Sequence, residues 1–520
     1  MTSLPPLQDA SVSEGDLVRL SGVPRRAELD GTGARVLAIV TPDELELELE
    51  GDARERLQVH ASCVAKLAPF PETGISLACL REFCAAYEGK LRRKTTDEVC
   101  RYFIKPITAP SQSSLAEALQ RLEESGMHNG LTGKANVFIS HTLKYEFLDL
   151  VDALEAYILS LPAPENVYVW LDVFVVNQHQ SAVRPKIWWT ETYQRGIGNI
   201  GKACLVLSPW NAPIPLTRSW CLWELASVAQ TGARLDFALG TADAASLEKG
   251  LPKKFKALVS DLALVDIRRA LAHHHPDKKI IREVAESTIG LNEFNAQVIG
   301  LVREWLVHVG REMLAKLPYE ERAKSPIFAP LSEILNLQGH YLEAEAMHRH
   351  YLKMLTQWGT SNANVKTLKT LNNLALALKG QGKLEEAEEM QRETLYTSRA
   401  CLRPHEQVLQ ESTTNLGIII QARGRLGEAE ALHRKALELS YSRNADLSEA
   451  KHYYSTLALV ENLASVLRML GKTDAAEKVH QDFLKIRRHR DAQLLVAPGP
   501  GAVTEHSTSV GPSGLLGKGF

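Results

Sequence analysis

Paired cysteines are missing from this chain. Its seven cysteines are scattered, odd in number and form no CxxC spacing, which excludes a disulfide framework and a thiolate zinc site. We therefore expect reduced thiols in a cytoplasmic protein and no bound metal. Long apolar runs are missing too. None approaches the ~20 residues that cross a bilayer. The opening stretch, MTSLPPLQDA, lacks the basic and apolar regions of a secretory leader, so neither a leader nor a membrane partner is expected. No charge of one sign dominates. A net charge of -2 projects no field toward nucleic acid or anionic lipid, so neither is an expected partner. No GxxxxGK[ST] loop occurs to cradle a nucleotide triphosphate.

What is present is an ordinary globular composition, 45% apolar and 23% charged, over 520 residues. That length is too great for one core and predicts three or four domains. Residues 1–14 read as disordered. Over 15–70, short apolar runs alternate with turns. Leu45-Glu46-Leu47-Glu48-Leu49 alternates strictly, as a half-buried strand does. The pattern resembles a small SH3-like β-barrel, a packing or interaction module. Over 75–130, helical patterns at 77–87 and 114–125, broken by Pro106 and Pro110, predict a helical connector.

Strand and helix patterns then alternate. Strands are expected at 136–140, 167–176, 203–208 and 235–239, with helices at 147–161, 187–200 and 220–230. Such alternation predicts a parallel sheet covered on both faces. A mostly helical stretch at 280–309 extends this domain, which we bound at 133–320. From 328 to 492 the chain repeats. Gly339, Gly382, Gly424 and Gly471 each open a similar segment, spaced 43, 42 and 47 residues apart. Asn373, Asn415 and Asn462 each stand nine residues before a glycine and each precede a leucine. Glycine caps one helix, and a small alanine lets the next approach closely. The Gly/Pro/Ser-rich stretch 493–520 reads as disordered.

Two motifs invite function and lose it in context. Gly196-Ile197-Gly198-Asn199-Ile200-Gly201 spells GxGxxG, but it ends a helix and precedes a strand. A phosphate loop does the reverse, so a helix-capping turn is the better reading. His273-His274-His275 lacks a neighbouring cysteine and reads as a solvated loop.

The most informative segment is Ser219-Trp220-Cys221-Leu222-Trp223-Glu224-Leu225. It opens a helix and sets one carboxylate, Glu224, among tryptophans. Six of the eight tryptophans fall between Trp170 and Trp223. They read either as core or as the wall of a cleft. Ligands of open parallel sheets bind at the carboxyl ends of the strands. Those ends carry His141, Asp172 and Trp210, while Trp220 shares a helix face with Glu224. Taken alone, Glu224 reads first as a solvated carboxylate at a helix start.

The order Val137-Phe138-Ile139-Ser140-His141, then Val169-Trp170-Leu171-Asp172, then Cys204-Leu205-Val206-Leu207-Ser208-Pro209-Trp210, then SWCLWEL resembles a TIR domain over about 133–240. The plant-type members open the equivalent helix with Trp-Cys-Leu-x-Glu-Leu. The resemblance implies a flavodoxin-like parallel α/β fold and an NAD-cleaving activity with Glu224 as catalytic residue. NAD is then a substrate, not a cofactor. It further implies that His141, Asp172, Trp210 and Trp220 line the substrate site, with Trp188 a further stacking surface. The usual glycine-bearing loop after the second strand is replaced by 177–185, NQHQSAVRP. That loop shapes the nucleotide site and self-association in the family. The repeats resemble tetratricopeptide repeats (TPR) of the kinesin-light-chain type, an α-solenoid. There the equivalents of Asn373, Asn415 and Asn462 hold a peptide backbone in a groove. A structural helix–helix hydrogen bond is the alternative for these asparagines.

The expected protein is multidomain, α/β followed by all-α. It is a cytosolic signalling scaffold whose TPR array binds a protein or peptide and whose TIR-like domain self-associates and hydrolyses NAD. The alternative is a non-enzymatic adaptor whose TIR-like domain serves assembly alone.

Overall fold

The computed structural model describes residues 12–49, 55–67, 69–127, 129–180, 185–262, 265–268, 270, 275–403, 407–443 and 450–496. The opening residues 1–11, the loop positions 181–184, His273 with His274, and the tail from 497 lie outside the described residues. The chain divides into two units, Met1–Gln338 and Gly339–Phe520.

The first unit opens with five antiparallel strands: β1 (Leu17–Leu20), β2 (Gly33–Thr41), β3 (Glu44–Leu49), β4 (Arg56–His60) and β5 (Val64–Lys66). They lie in the order β4-β3-β2-β1-β5. The alternation in β3 works as its pattern predicts. Leu45, Leu47 and Leu49 turn into a private core with Val18, Leu20 and Val36. On the outside, Arg35 of β2 pairs with Glu191 of the next domain.

A six-stranded sheet follows, built from β6 (Thr73–Ile75), β7 (Thr132–Lys134), β8 (Val137–Ser140), β9 (Val169–Trp170), β10 (Lys202–Val206) and β11 (Arg234–Ala238). Its order is β11-β10-β8-β9-β6-β7. The run β11-β10-β8-β9 is parallel, with β8 inside and the later strands added on both sides. The covering helices are α1 (Leu77–Ala86), α2 (Leu115–Glu124), α3 (Phe147–Leu159), α4 (Lys186–Ile200), α5 (Ser219–Thr231), α6 (Thr241–Leu262), α7 (His275–Thr288), α8 (Leu291–Ala315) and α9 (Phe328–Leu337). The apolar β8 run is buried on every residue, as a central parallel strand requires.

Two expectations change here. The 75–130 segment, read as a helical connector, belongs to this domain. Strands β6 and β7 close one edge of the sheet in antiparallel fashion, and Leu77, Leu80, Phe83 and Leu115 join the same core as Phe138 and Trp170. The long strand expected at 167–176 stops at Trp170. Asp172–Val175 forms one helical turn instead. Phe174 is buried there against Phe83 and Phe147, and a continuous apolar run satisfies either conformation.

The GxGxxG segment does end a helix. Gly201 has φ +72 and caps α4, and a Cβ on Gly196 would strike the Phe70 ring.

The second unit contains α10 (Tyr341–Gln357), α11 (Val365–Gly380), α12 (Leu384–Cys401), α13 (Gln407–Ala422), α14 (Leu426–Arg443), α15 (Ala450–Met469) and α16 (Thr473–Val496). Successive helices pack as antiparallel pairs in an α-solenoid. Gly339, Gly382, Gly424 and Gly471 all take φ between +73 and +80, the left-handed turn their spacing predicts.

Candidate functional site

The carboxyl ends of β8, β9 and β10 converge on the first turns of α5. Ser140 is the last residue of β8, and its Oγ donates to Glu224 Oε2 at 2.5 Å. Burial pushes the Glu224 carboxyl up to about 8. The Ser140 hydroxyl opposes this rise and the Asp172 carboxylate adds to it. At neutral pH most of Glu224 therefore carries its proton, although part of the residue still meets solvent.

His141 follows Ser140, and its side chain is 3% exposed. Nε2 lies 3.7 Å from Asp172 Oδ1, beyond hydrogen-bond reach, and is buried without a partner. Desolvation lowers the His141 pKa, while Asp172 and the Ile139 backbone raise it. The ring is thus neutral at pH 7. Asp172 opens the helical turn after β9 and accepts the Val173 N–H at 2.7 Å. Sequence reasoning brings His141, Asp172 and Glu224 together, and the fold does so too.

The tryptophans divide. Trp220 is half-buried, in an edge contact with Trp189 and tilted against Tyr193, with centroids 6.3 Å apart in both cases. Trp210, expected on the cleft wall, is 2% exposed. Its Nε1 donates to Ser246 at 3.1 Å, and its ring lies on Gly250. Trp188 is equally buried. These two are core, as large apolar rings commonly are. Trp223 stacks on Phe294 and is core as well.

Several groups in this region escaped the sequence. Tyr145 locks the end of β10: its hydroxyl lies 3.0 Å from the Val206 carbonyl and 2.7 Å from that of Ser208. Ser208 Oγ in turn donates to Asp243 at 2.6 Å. Cys221 Sγ donates to the His141 carbonyl at 3.2 Å, and burial pushes its thiol far above the usual range. Arg218 and Ser219 lie buried at the start of α5. None of these has a local signal, because each partner is tens of residues away. Among the described residues, no group of three or more His, Cys, Asp or Glu side chains is arranged to hold a metal. A separate cavity of about 270 Å³, lined by Phe70, Glu72, Lys134, Ala135, Asn199 and Ile200, lies beside the amino ends of the strands.

In the helical array, Asn373, Asn415 and Asn462 sit at one position of α11, α13 and α15, each partly exposed. A buried helix–helix hydrogen bond is made beside Asn373, at a neighbour the sequence did not single out. Asn372 Oδ1 accepts from Gln391 Nε2 at 2.7 Å and from Ser412 Oγ at 2.9 Å.

No curated protein matches the chain. Among solved structures, BtubC (BKLC) from P. vanneervenii is 18% identical with a TM-score of 0.28, covering 50% of this chain and 99% of its own. A Podosopora anserina chain described as kinesin light chain nearly identical TPR-like repeats is 17% identical with a TM-score of 0.28, covering 43% and 100%. The tetratricopeptide-repeat family model matches residues 366–442. The C-terminal array of this chain carries tetratricopeptide repeats.

Proposed function

We propose that the α/β domain is TIR-like and cleaves the nicotinamide–ribose bond of NAD with Glu224 as the catalytic carboxylate. The TPR array binds a protein or peptide that controls it. The observation that carries this reading is Glu224 itself, a buried carboxyl bonded to Ser140 where the strands end. The strand order of the parallel run, second-first-third-fourth, supports a flavodoxin-like sheet, whose ligands bind at that end. The small antiparallel sheet before it fits an SH3-like barrel.

Cleavage passes through an oxocarbenium-like state. A carboxylate beside the ribose stabilises that charge and accepts from the sugar hydroxyls. The cationic nicotinamide ring favours the ionised form of Glu224. The half-exposed Trp220 offers a flat face to a base, and His141 and Asp172 border the sugar. Asn373, Asn415 and Asn462 recur along the concave side that stacked helix pairs form, and they hold the backbone of the bound segment. The seven cysteines, all free thiols, support a cytoplasmic setting. The domain self-associates when active. Nicotinamide release by the full chain, lost in Glu224→Gln, tests the catalytic half. A pull-down that loses its partner when the three asparagines become alanine tests the other half.

A second reading is a non-enzymatic adaptor. It is favoured by one observation: the family match falls wholly within the repeats. In that case wild type and Glu224→Gln release no nicotinamide, while the asparagine variant still loses the partner.

A further inference from the structure

The start of α5 leaves several hydrogen-bond donors unanswered. This helix runs for 13 residues, and no acidic residue occupies its first turn. A helix start presents unsatisfied N–H groups and the positive end of the dipole. Serine, threonine or an acid normally answers that charge. Here the capping position holds Arg218, whose side chain makes no capping bond. The N–H groups of Ser219 and Cys221 find no backbone acceptor among the described residues.

Two side chains sharpen the imbalance. Arg218 is 8% exposed, yet among the described residues no carboxylate or carbonyl meets its guanidinium. Ser219 is fully buried, and its Oγ has no partner. A buried hydroxyl left unpaired is costly. All the unmet groups here are donors, or a hydroxyl able to donate, and one is a cation. Arg218 lies close enough to Cys221 for its charge to bear on that thiol. Cys221 in turn adjoins Ser140, the residue that holds Glu224.

We propose that Arg218, Ser219 and the first N–H groups of α5 bind a phosphate of a pyrophosphate-bearing nucleotide. The residues from Arg218 to Cys221 precede Glu224 by about 5–9 Å along the helix axis. A guanidinium fork and a helix start each suit phosphate oxygens. The spacing sets the phosphate one sugar away from the carboxylate. The choice of nucleotide rests on the NAD reading, whereas the anion subsite does not.

The test is calorimetry on the full chain, with ADP-ribose, inorganic pyrophosphate and nicotinamide riboside as separate probes. ADP-ribose should bind wild type, and Arg218→Met at least about tenfold more weakly. Nicotinamide riboside, which has no phosphate, should not distinguish Arg218→Met from wild type. Binding of pyrophosphate as tight as ADP-ribose would identify the anion alone as the ligand and overturn the nucleotide assignment. Equal affinity of wild type and Arg218→Met for ADP-ribose would overturn the subsite. A variant-free arm stands beside these. Millimolar pyrophosphate should raise the melting temperature of the wild-type chain above that in sodium chloride of equal ionic strength, and no rise would also overturn the subsite. If the chain releases no nicotinamide but binds ADP-ribose through Arg218, the subsite stands and the cleavage reading falls.

Discussion

Lys383, in the turn that opens one helix pair, reaches back to Glu345 of the pair before it, Nζ to Oε2, at 3.0 Å. The relation recurs down the array. Arg425 meets Glu388 at 2.9 Å and Lys472 meets Glu430 at 2.7 Å. Each glutamate also holds an arginine four residues on: Arg349, Arg392 and Arg434. The repeated Gly-[Lys/Arg] and Ala-Glu positions are thus two halves of one inter-repeat contact.

These contacts make the array sensitive to acid. Hydrogen bonds from Gln381, Arg349 and Lys383 outweigh burial and lower Glu345 to about 2. Glu388 and Glu430 are lowered as well. A carboxyl whose folded pKa lies below its unfolded value contributes stability above the unfolded pKa. That stability disappears as pH falls toward the folded one. The stability of the array should fall from about pH 4.5 downward. After discounting for the exposed cationic partners, Glu345 accounts for about 1–2 kcal/mol. Glu388→Gln, which leaves Arg392, Arg423 and Arg425 without their shared acceptor, should lower the melting temperature at pH 7 and flatten its fall toward pH 3.

His433 adds an acid-sensitive term of its own. Its ring is buried with neither nitrogen bonded, and desolvation lowers it to about 4. The folded chain then binds fewer protons than the unfolded one between about pH 6.5 and 4, so stability drops as pH is lowered across that window. The ring lies on Gly417, where an added Cβ would come within 2.7 Å. Gly417→Ala should therefore destabilise the array by about 1–3 kcal/mol, which chemical denaturation at pH 7 measures.

Glu224 has the opposite sign. Its folded pKa of about 8 exceeds the ordinary 4.5 of a glutamate, so the folded state holds the proton more tightly. Its contribution is present below about pH 4.5 and is lost as pH rises through 8. Glu224→Gln keeps the shape without the charge. It should melt higher than wild type at pH 8 and nearly equally at pH 5, while losing turnover. Such a gain, on the order of 4 kcal/mol at most at pH 8, marks a residue kept for chemistry at the expense of stability.

Ser140 is a positioning residue for that carboxyl. Its hydrogen bond favours the ionised form, so Ser140→Ala should raise the Glu224 pKa further. If the carboxylate is the working form, kcat/KM for NAD rises with pH, and Ser140→Ala shifts that rise to higher pH. A uniform loss with an unmoved profile would mean that Ser140 only supports the fold.

Much of this architecture was legible in the residues. Four glycines with conserved internal spacing announce the turns of the array, and the apolar runs locate the parallel strands within a few residues. His141, Asp172 and Glu224 were expected together because strand ends converge in such sheets. What escaped was decided at a distance. Thr73–Ile75 and Thr132–Lys134 are too short to show alternation, so their place in the sheet had no local sign. Ser140 and Glu224 are 84 residues apart, and nothing near either names the other. Trp210 and Trp220 have the same chemistry in sequence. Only packing assigns one to the core and the other to a half-open face. Asn372 and Asn373 differ by one step around a helix, about 100°, which separates a buried hydrogen bond from a partly exposed position.

The most direct test is nicotinamide release from NAD by the full chain, free and crowded on a surface, with Glu224→Gln alongside at pH 7 and 8.5. The account predicts release by wild type, faster at pH 8.5 than at pH 7, and none by the variant. Release by both proteins at one rate, or by neither while both melt cooperatively, would contradict it.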